Sequence, residues 1–298
     1  MKPVAERRPE RVVETAPAKI NLALHVTGRR ADGYHLLDSL VTFAEDGDEL
    51  AFEAAATDEF RVVGRFGGEL SGDDNLVLKA RDLLRTALVN AGQPHGTVSI
   101  TLDKCLPIAS GIGGGSADAA ATLRGLLRLW KAELPQAALQ QIALQLGADV
   151  PMCLASVPLR ARGIGETIER AAMPSVPLVL VNPLKPVSTP EIFRSLTRRD
   201  HPPIEQIPGA TDVSGWLHSL VPLRNDLQPA AEVLVPEIAE ACDLLGQSLA
   251  GFARMSGSGA TCFGLYETEA GAMKAALALS AYRPNWYVLL TRTVPGEA

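Results

Sequence analysis

The sequence has few of the features that mark secreted, zinc-binding or membrane proteins. It has four cysteines in 298 residues, without a Cys-X-X-Cys pair or a histidine at zinc-finger spacing. This pattern favours free thiols in a reducing cytoplasm over disulfides or structural zinc. No window approaches 18 consecutive apolar residues, and the first 14 residues mix arginine with glutamate and lack an apolar segment. Neither a membrane-spanning helix nor a secretory signal is therefore predicted, and a cytoplasmic location is expected.

An excess of basic residues is also missing. The 28 Lys and Arg residues face 34 Asp and Glu residues, which gives a formal net charge of −6. Such a chain offers no electrostatic footprint for nucleic acid or for anionic lipid. The hydrophobic fraction of 47% and the charged fraction of 21% are typical of a folded globular protein. We therefore expect no nucleic-acid or membrane partner.

Strand and helix patterns alternate irregularly along the chain. Residues 20–26 alternate and predict a strand. Residues 49–54 and 60–63 suggest further antiparallel strands, and residues 98–102 predict another strand. Helical stripes occur between them and again in the last third of the chain. This order predicts an α+β protein and not a repeating βα unit. A proline-rich shift in composition places a candidate boundary near residue 153, between a first lobe at 1–153 and a second at 154–285.

The glycines are concentrated in one place. Residues 111–115 read Gly-Ile-Gly-Gly-Gly, where average usage would give about 0.4 glycine in five positions. The segment lies between a predicted strand and a helix whose expected N-cap is Ser116. Backbone N–H groups without neighbouring Cβ atoms, together with a helix N-terminus, favour an anion. A phosphate-binding loop is therefore favoured over a flexible turn.

Three well-known phosphate-binding patterns do not match this loop. The sequence contains no Gly-Lys pair, which a Walker A loop requires, and the dinucleotide pattern would have Ser116 in its last glycine position. The protein-kinase signatures Asp-Phe-Gly and His-Arg-Asp are absent as well. A second motif, Ser-Gly-Ser-Gly-Ala at 256–260, is by itself an ordinary turn. Together, the two glycine turns could clamp one nucleotide and its acceptor.

Three segments together resemble the three motifs of the GHMP kinases. They are residues 17–22 (Pro-Ala-Lys-Ile-Asn-Leu), residues 106–118 around the glycine loop, and residues 256–260. The resemblance implies a two-lobed fold with an N-terminal lobe like domain 2 of ribosomal protein S5 and a C-terminal α/β sandwich lobe. It also implies that a final strand at about 286–298 returns to the first lobe. The loop departs from the family pattern at Ile112, which is conservative, and at Ala117, which excludes a metal ligand at that position.

The resemblance also implies roles for individual residues. ATP is the expected phosphoryl donor, Mg²⁺ is expected with it although its ligands are unknown, and a monomer or weak homodimer is expected. Asp149 is the expected catalytic base, and Lys19 is expected to keep it ionised and to neutralise charge on the transferred phosphoryl group. The expected nucleotide-binding residues are Asn75, Pro107, Ser110, Gly111, Ile112, Gly113, Gly114, Gly115 and Ser116. The expected acceptor-binding residues are Asn21, Tyr34, His35, Thr189, Phe193, Gly257 and Ser258.

The loop at 30–35 (Arg-Ala-Asp-Gly-Tyr-His) and residues 147–151 (Gly-Ala-Asp-Val-Pro) are similar to those of a narrower group within the GHMP kinases. That group phosphorylates a hydroxyl of a cytidine-diphosphate-linked methylerythritol on the non-mevalonate route to isoprenoids. The tyrosine is expected to stack on the cytosine, the histidine to read its edge, and Phe193 to cover its other face.

Several alternatives stay open. Asn75 could be a helix N-cap instead of an adenine contact, and Phe193 could be a packing residue. A related kinase acting on mevalonate, homoserine or a sugar is the second candidate, although such acceptors have no base for the tyrosine and histidine to bind. A non-catalytic nucleotide-binding or RNA-associated module is the third candidate. The net charge and the presence of both Lys19 and Asp149 oppose it.

Overall fold

The computed structural model describes residues 10–69, 75–207 and 212–297. A six-stranded sheet forms the first half of the fold, with the order β3-β4-β2-β5-β6 and with β1 paired to β2. The strands are β1 (Arg11–Arg29), β2 (His35–Ala54), β3 (Glu59–Val63), β4 (Val98–Asp103), β5 (Leu159–Gly163) and β6 (Thr167–Arg170). β1 and β2 form a long antiparallel hairpin whose register shifts at three places, between Pro17 and Lys19, Asn21 and Ala23, and Val26 and Gly28. β3 pairs with β4 in parallel, so the expectation of antiparallel pairing there was wrong.

Four helices accompany this sheet. They are α1 (Leu76–Asn90), α2 (Gly114–Trp130), α3 (Gln136–Leu146) and α4 (Val150–Ala155), and a 3₁₀ turn spans Gly67–Glu69. α1 begins where Asn75 caps it, because the Asn75 side chain accepts a hydrogen bond from the N–H of Val77. α2 does not begin at the predicted Ser116. It is preceded by Gly113 in the left-handed conformation, and Ser116 is its third residue.

A second, four-stranded antiparallel sheet has the order β10-β7-β9-β8. Its strands are β7 (Pro177–Asn182), β8 (Phe252–Met255), β9 (Cys262–Leu265) and β10 (Tyr287–Arg292). The helices of this part are α5 (Thr189–Ser195), α6 (Val213–Ser219), α7 (Gln228–Leu234), α8 (Glu237–Gln247) and α9 (Glu269–Tyr282). Within the described ranges, no helix combines the length and the hydrophobicity that a bilayer crossing requires.

The alternation of side chains along the central strands produces a layered molecule. Val41 and Phe43 of β2 pack with α1 and α2 in one buried cluster, whereas Leu40 and Ala44 belong to a cluster shared with the second sheet. In β7, Leu178 and Leu180 contribute to that shared cluster. Val179 and Val181 instead pack with α5, α8 and α9. The order is therefore helices, first sheet, second sheet, helices, which confirms the predicted α+β class.

The predicted lobe boundaries need two corrections. β5 and β6 lie beyond residue 153 but belong to the first sheet, because β5 pairs with the Leu37–Val41 part of β2. β10 pairs with β7 in the second sheet and does not return to the first, since its antiparallel partner is the fully buried segment Pro177–Asn182. After β10 the chain does reach the first sheet. There the N–H of Val294 donates to the carbonyl of Phe43 at 2.9 Å.

Candidate active site

A cleft of about 1270 Å³ is lined by segments from both halves of the fold. Its volume exceeds that of ordinary single-ligand pockets, so it has room for two ligands side by side. Of the residues expected from the sequence, every one except Ile112 lines it. These are Lys19, Asn21, Tyr34, His35, Asn75, Pro107, Ser110, Gly111, Gly113, Gly114, Gly115, Ser116, Asp149, Thr189, Phe193, Gly257 and Ser258.

Lys19 and Asp149 form an ion pair in the cleft. The Nζ of Lys19 lies 2.7 Å from Oδ2 of Asp149. The Lys19 side chain, on β1, is only 6% exposed, whereas the Asp149 side chain is 40% exposed at the start of α4. Asp149 makes no side-chain capping bond to its helix. One carboxylate is thus held by a buried cation and left open to an incoming group, which is a suitable arrangement for a proton acceptor.

The glycine loop is fixed directly to β1. The N–H of Lys19 donates to the carbonyl of Ile112 at 2.9 Å, and the Ile112 side chain is fully buried in the core between the sheets. The side chain of Ile112 therefore anchors the loop and does not line the cleft. Gly113 has φ +66°, and a Cβ there would lie 3.3 Å from Cβ of Lys19. Glycine at this position satisfies both the backbone angle and the contact with Lys19.

The two glycine turns pack backbone against backbone. A Cβ on Gly111, which has φ +75°, would lie 2.5 Å from the carbonyl oxygen of Ser256, and a Cβ on Gly257 would lie 2.5 Å from the carbonyl oxygen of Gly111. The Ser256 hydroxyl donates to the Gly111 carbonyl at 3.2 Å, and the N–H of Thr261 donates to the Ser110 carbonyl at 3.1 Å. The two turns therefore form one rigid wall that includes residues from both halves of the fold.

Asn21 connects β1 to this wall. Its N–H donates to the Ser256 hydroxyl at 3.0 Å, and its Nδ2 donates to the Ser39 hydroxyl at 2.7 Å. Its Oδ1 is buried and has no hydrogen-bond partner in the described part of the chain. A buried acceptor without a partner is uncommon in proteins, and here it belongs to a residue that lines the cleft. This oxygen is available to a ligand donor.

Sequence reasoning missed a buried charge cluster beside the glycine loop. The Nζ of Lys104 is hydrogen-bonded to Oδ2 of Asp48 and, at 2.9 Å, to Oδ2 of Asp118. All three side chains are at most 5% exposed. Asp48 also accepts hydrogen bonds from the backbone N–H groups of Cys105 and Leu106 at 2.7 and 2.8 Å. The cluster thereby holds the segment that leads into the loop.

This cluster lies at the start of α2. A Cβ on Gly114 would lie 3.1 Å from Nζ of Lys104. Burial lowers the pKa of Lys104, but Asp118 and Asp48 together raise it above its usual value. Burial is the main cause that raises the pKa of Asp118 to about 7. The charge of Asp48 also raises this pKa, whereas the charge of Lys104 lowers it. Lys104 is thus charged at neutral pH, and Asp48 and Asp118 compensate its charge within the cluster.

An aromatic pair lies in the acceptor-binding part of the cleft. The ring of His35 stacks on Phe193 with centroids 4.7 Å apart and an interplanar angle of 23°. The Nε2 of His35 is buried and lacks a hydrogen-bond partner among the described residues. Burial lowers the pKa of His35, and the charges of Arg29 and Arg199 lower it further, so the ring is neutral at pH 7. Tyr34 is 62% exposed.

The structure also shows what Thr189, Asn75 and Phe193 contact. The hydroxyls of Thr189 and Ser258 lie 2.7 Å apart, so α5 and the second glycine turn meet within the cleft. Asn75 both caps α1 and lines the cleft, and the two interpretations of this residue are therefore compatible. Phe193 packs against His35 and lines the cleft as well.

Comparison with known proteins decides the family. A model described as the GHMP kinases N terminal domain matches residues 75–156, and one described as GHMP kinases C terminal matches residues 214–285. The chain belongs to the GHMP kinase family. The matched residues include the glycine loop and Asp149 of this GHMP kinase, and the second match includes its second glycine turn.

Several curated relatives of this GHMP kinase share more than half of its residues. A 4-diphosphocytidyl-2-C-methyl-D-erythritol kinase of Agrobacterium fabrum is 57% identical over 95% of this chain and 96% of its own length. The protein of the same name from Rhizobium leguminosarum bv. trifolii is 58% identical over 96% of both chains.

Solved structures agree on the fold of this GHMP kinase. A crystal structure of 4-(cytidine 5′-diphospho)-2C-methyl-D-erythritol kinase matches with a TM-score of 0.78 and 34% identity, over 96% of this chain and 100% of the other. A homoserine kinase from Cytophaga hutchinsonii matches with a TM-score of 0.68 over 99% of this chain and 98% of its own, at 18% identity. The second likeness extends to the fold alone.

Proposed function

We propose that this GHMP kinase transfers the γ-phosphoryl group of ATP to the 2-hydroxyl of 4-diphosphocytidyl-2-C-methyl-D-erythritol. The products are ADP, the 2-phosphate of the acceptor and a proton, and the reaction belongs to the non-mevalonate route to isopentenyl diphosphate. The observation that carries the proposal is the position of the Lys19–Asp149 pair. It shares one cleft with a glycine loop suited to phosphate and with an aromatic pair suited to a nucleobase. A cytoplasmic location and a monomeric or weakly dimeric state stay predictions.

The glycine loop is the proposed binding site of the ATP phosphates. Its backbone N–H groups and the N-terminus of α2 favour an anion at the same place. A protein with a net charge of −6 needs this local arrangement, because its overall field does not attract ATP. Asn75, at the start of α1, is the proposed contact for the adenosine part.

Asp149 is the proposed acceptor of the hydroxyl proton. Transfer passes through a loose transition state in most analyses, so positioning and charge neutralisation matter more than a strong base. Lys19 holds the Asp149 carboxylate through its ammonium group and neutralises charge that develops on the transferred phosphoryl group. Asn21, next to this pair on β1, is proposed to hold the acceptor.

The residues at the phosphate end also fit a magnesium ion that arrives with ATP. Mg²⁺ usually keeps several waters and takes only one or two protein oxygens in addition to phosphates. Ser116, Asp118 and Asp149 line this part of the cleft, and the buried Oδ1 of Asp118 has no hydrogen-bond partner in the described residues. The ion would supply further neutralisation of the phosphate charge.

The His35–Phe193 pair is the proposed binding site of the cytosine. A flat pyrimidine can stack on the exposed faces of these rings and of Tyr34, and the unpartnered Nε2 of His35 is available to its edge. Thr189, Gly257 and Ser258 join α5 to the second glycine turn and are proposed to contact the acceptor between its base and its reacting hydroxyl.

A coupled ADP-release assay with a panel of acceptors tests the proposal. The purified chain is given MgATP with 4-diphosphocytidyl-2-C-methyl-D-erythritol, with mevalonate or with homoserine. We expect rapid ADP release with the cytidyl acceptor alone. Preference for mevalonate or homoserine would contradict the assigned acceptor. Tight ATP binding without ADP release on any acceptor would instead favour a non-catalytic nucleotide-binding protein.

A further inference from the structure

Three arginines line the same end of the cleft as His35 and Phe193. Arg29 is the direct strand partner of His35 in the β1–β2 hairpin, and Arg194 follows Phe193 on α5. Arg199 lies shortly after α5 and lines the cleft with the other two. Both Arg29 and Arg199 lie close enough to His35 for their charges to act on it.

These arginines lack carboxylate partners in the described part of the chain. The Nε atoms of Arg29 and Arg194 donate to the carbonyl oxygens of Gly33 and Pro190, each at 3.2 Å, and Nη2 of Arg199 donates to the carbonyl of Arg194 at 3.2 Å. The neighbouring Arg30, in contrast, is neutralised by a carboxylate. It pairs with Asp32 at 2.7 Å, and the same pair neutralises the charge of Asp32 on this rim of the cleft.

One of the three arginines carries a donor that the fold leaves unused. The Nε of Arg199 is buried and has no hydrogen-bond partner among the residues that the structure describes. Buried donors in proteins are almost always paired, so an unpaired one in a cleft-lining residue indicates a ligand acceptor. Three uncompensated cations on one rim also stand out in a protein whose net charge is −6.

We propose that Arg29, Arg194 and Arg199 bind the diphosphate group that joins the cytidine of the acceptor to its polyol. Guanidinium groups form paired, charge-assisted hydrogen bonds with phosphate oxygens, whereas a neutral pyrimidine ring or a polyol offers no negative charge. A diphosphate carries at least two negative charges, and the ribose links it to the base. The inference rests on the proposed function, since the base must lie at His35 and Phe193 for the diphosphate to come within reach.

Competitive inhibition by cytidine and by cytidine diphosphate separates contacts to the base from contacts to the phosphates. The variants are Arg29→Met, Arg194→Met and Arg199→Met. The control is Arg198→Met, an exposed arginine on the same segment that pairs with Asp200 at 3.0 Å. We expect each of the three variants to raise the inhibition constant of cytidine diphosphate about tenfold, which is the range for losing a charged hydrogen bond. The constant for cytidine should stay within about twofold.

Salt provides a second measurement that needs no variant. The inhibition constant of cytidine diphosphate for the wild-type protein should rise with ionic strength between low and physiological salt, and that of cytidine should not. An unchanged constant for cytidine diphosphate in all three variants would overturn the inference, as would an equal rise for cytidine. Absence of inhibition by either compound in the wild-type protein, with no ADP release on the cytidyl acceptor, would instead overturn the proposed function itself.

Discussion

Lys19 and Asp149 meet at 2.7 Å although 130 residues separate them in the chain. Lys19 lies in the middle of β1, in the long β1–β2 hairpin, and is almost fully buried. Asp149 is the residue directly before the short helix α4. The fold therefore brings a fixed cation to a solvent-accessible carboxylate at the point where the glycine loop is attached to β1. The Lys19–Asp149 pair shares the cleft with the other predicted nucleotide-binding and acceptor-binding residues that line it.

Replacing Asp149 by asparagine should lower kcat by about a thousandfold, which is within the range for loss of a positioned proton acceptor. Asparagine keeps the shape of the side chain, so the KM values for ATP and for the acceptor should change little. Steady-state kinetics by ADP release measure both parameters. Asp200→Asn, at an exposed acid paired with Arg198, is the matched control and should leave kcat unchanged. A kcat of Asp149→Asn within about threefold of the wild-type value would remove the assigned role.

Replacing Gly111 by alanine should destabilise the protein by about 2 kcal/mol, because the new Cβ meets the Ser256 carbonyl in a left-handed backbone conformation. The control is Gly246→Ala in α8, where a Cβ meets nothing within 4 Å. The control should stabilise the protein by about 0.5–1 kcal/mol, because alanine favours a helix over glycine. Urea unfolding of both variants measures the difference. Equal stability of the two variants would show that the contact between the glycine turns is not tight.

Much of this site could be predicted from sequence, because its parts are contiguous motifs. The glycine loop, Asn75 as an N-cap and the alternating β1 strand each depend on neighbours within a few residues. The Lys104 cluster does not, since Asp48 lies 56 residues from Lys104 and in sequence resembles an ordinary hairpin acid. Asp118 lies near the start of a predicted helix, where the helix dipole favours an acid in any case, so its position in the sequence does not indicate a partner. The final strand was misplaced for the same reason, because only the tertiary structure shows that its buried partner is β7.

Replacing Asp118 by asparagine should change how stability depends on pH. Burial raises the pKa of Asp118 in the folded protein to about 7, from an ordinary value near 3.8 in the unfolded chain. Between these values the folded state holds a proton that the unfolded state has lost, so the wild-type protein loses stability as the pH rises from about 4 to about 7. Asparagine has no such proton. The free energy of unfolding of the variant, measured relative to wild type by urea at several pH values, should therefore increase across this interval.

Asp200→Asn serves as the control for this pH series, because the Asp200 side chain is exposed and paired at the surface. Its free energy of unfolding relative to wild type should stay level across the same interval. If the free energy of unfolding of Asp118→Asn relative to wild type also stayed constant across this pH interval, Asp118 would titrate as an ordinary carboxyl. Loss of the Lys104 contact would then be the whole effect of the substitution, and the offset would be the same at every pH.

Replacing His35 by alanine should raise the KM for the cytidyl acceptor about tenfold, because the variant loses both the stacked ring on Phe193 and the donor or acceptor at Nε2. The value of kcat should stay within about twofold, since the ring lies among the acceptor-binding residues and makes no contact with the Lys19–Asp149 pair. His95→Ala, at an exposed histidine whose ring bonds only to the Gln93 carbonyl in the described structure, is the control and should change neither parameter. A fall in kcat without a rise in KM would place His35 in the chemical step and would contradict its assignment to the base.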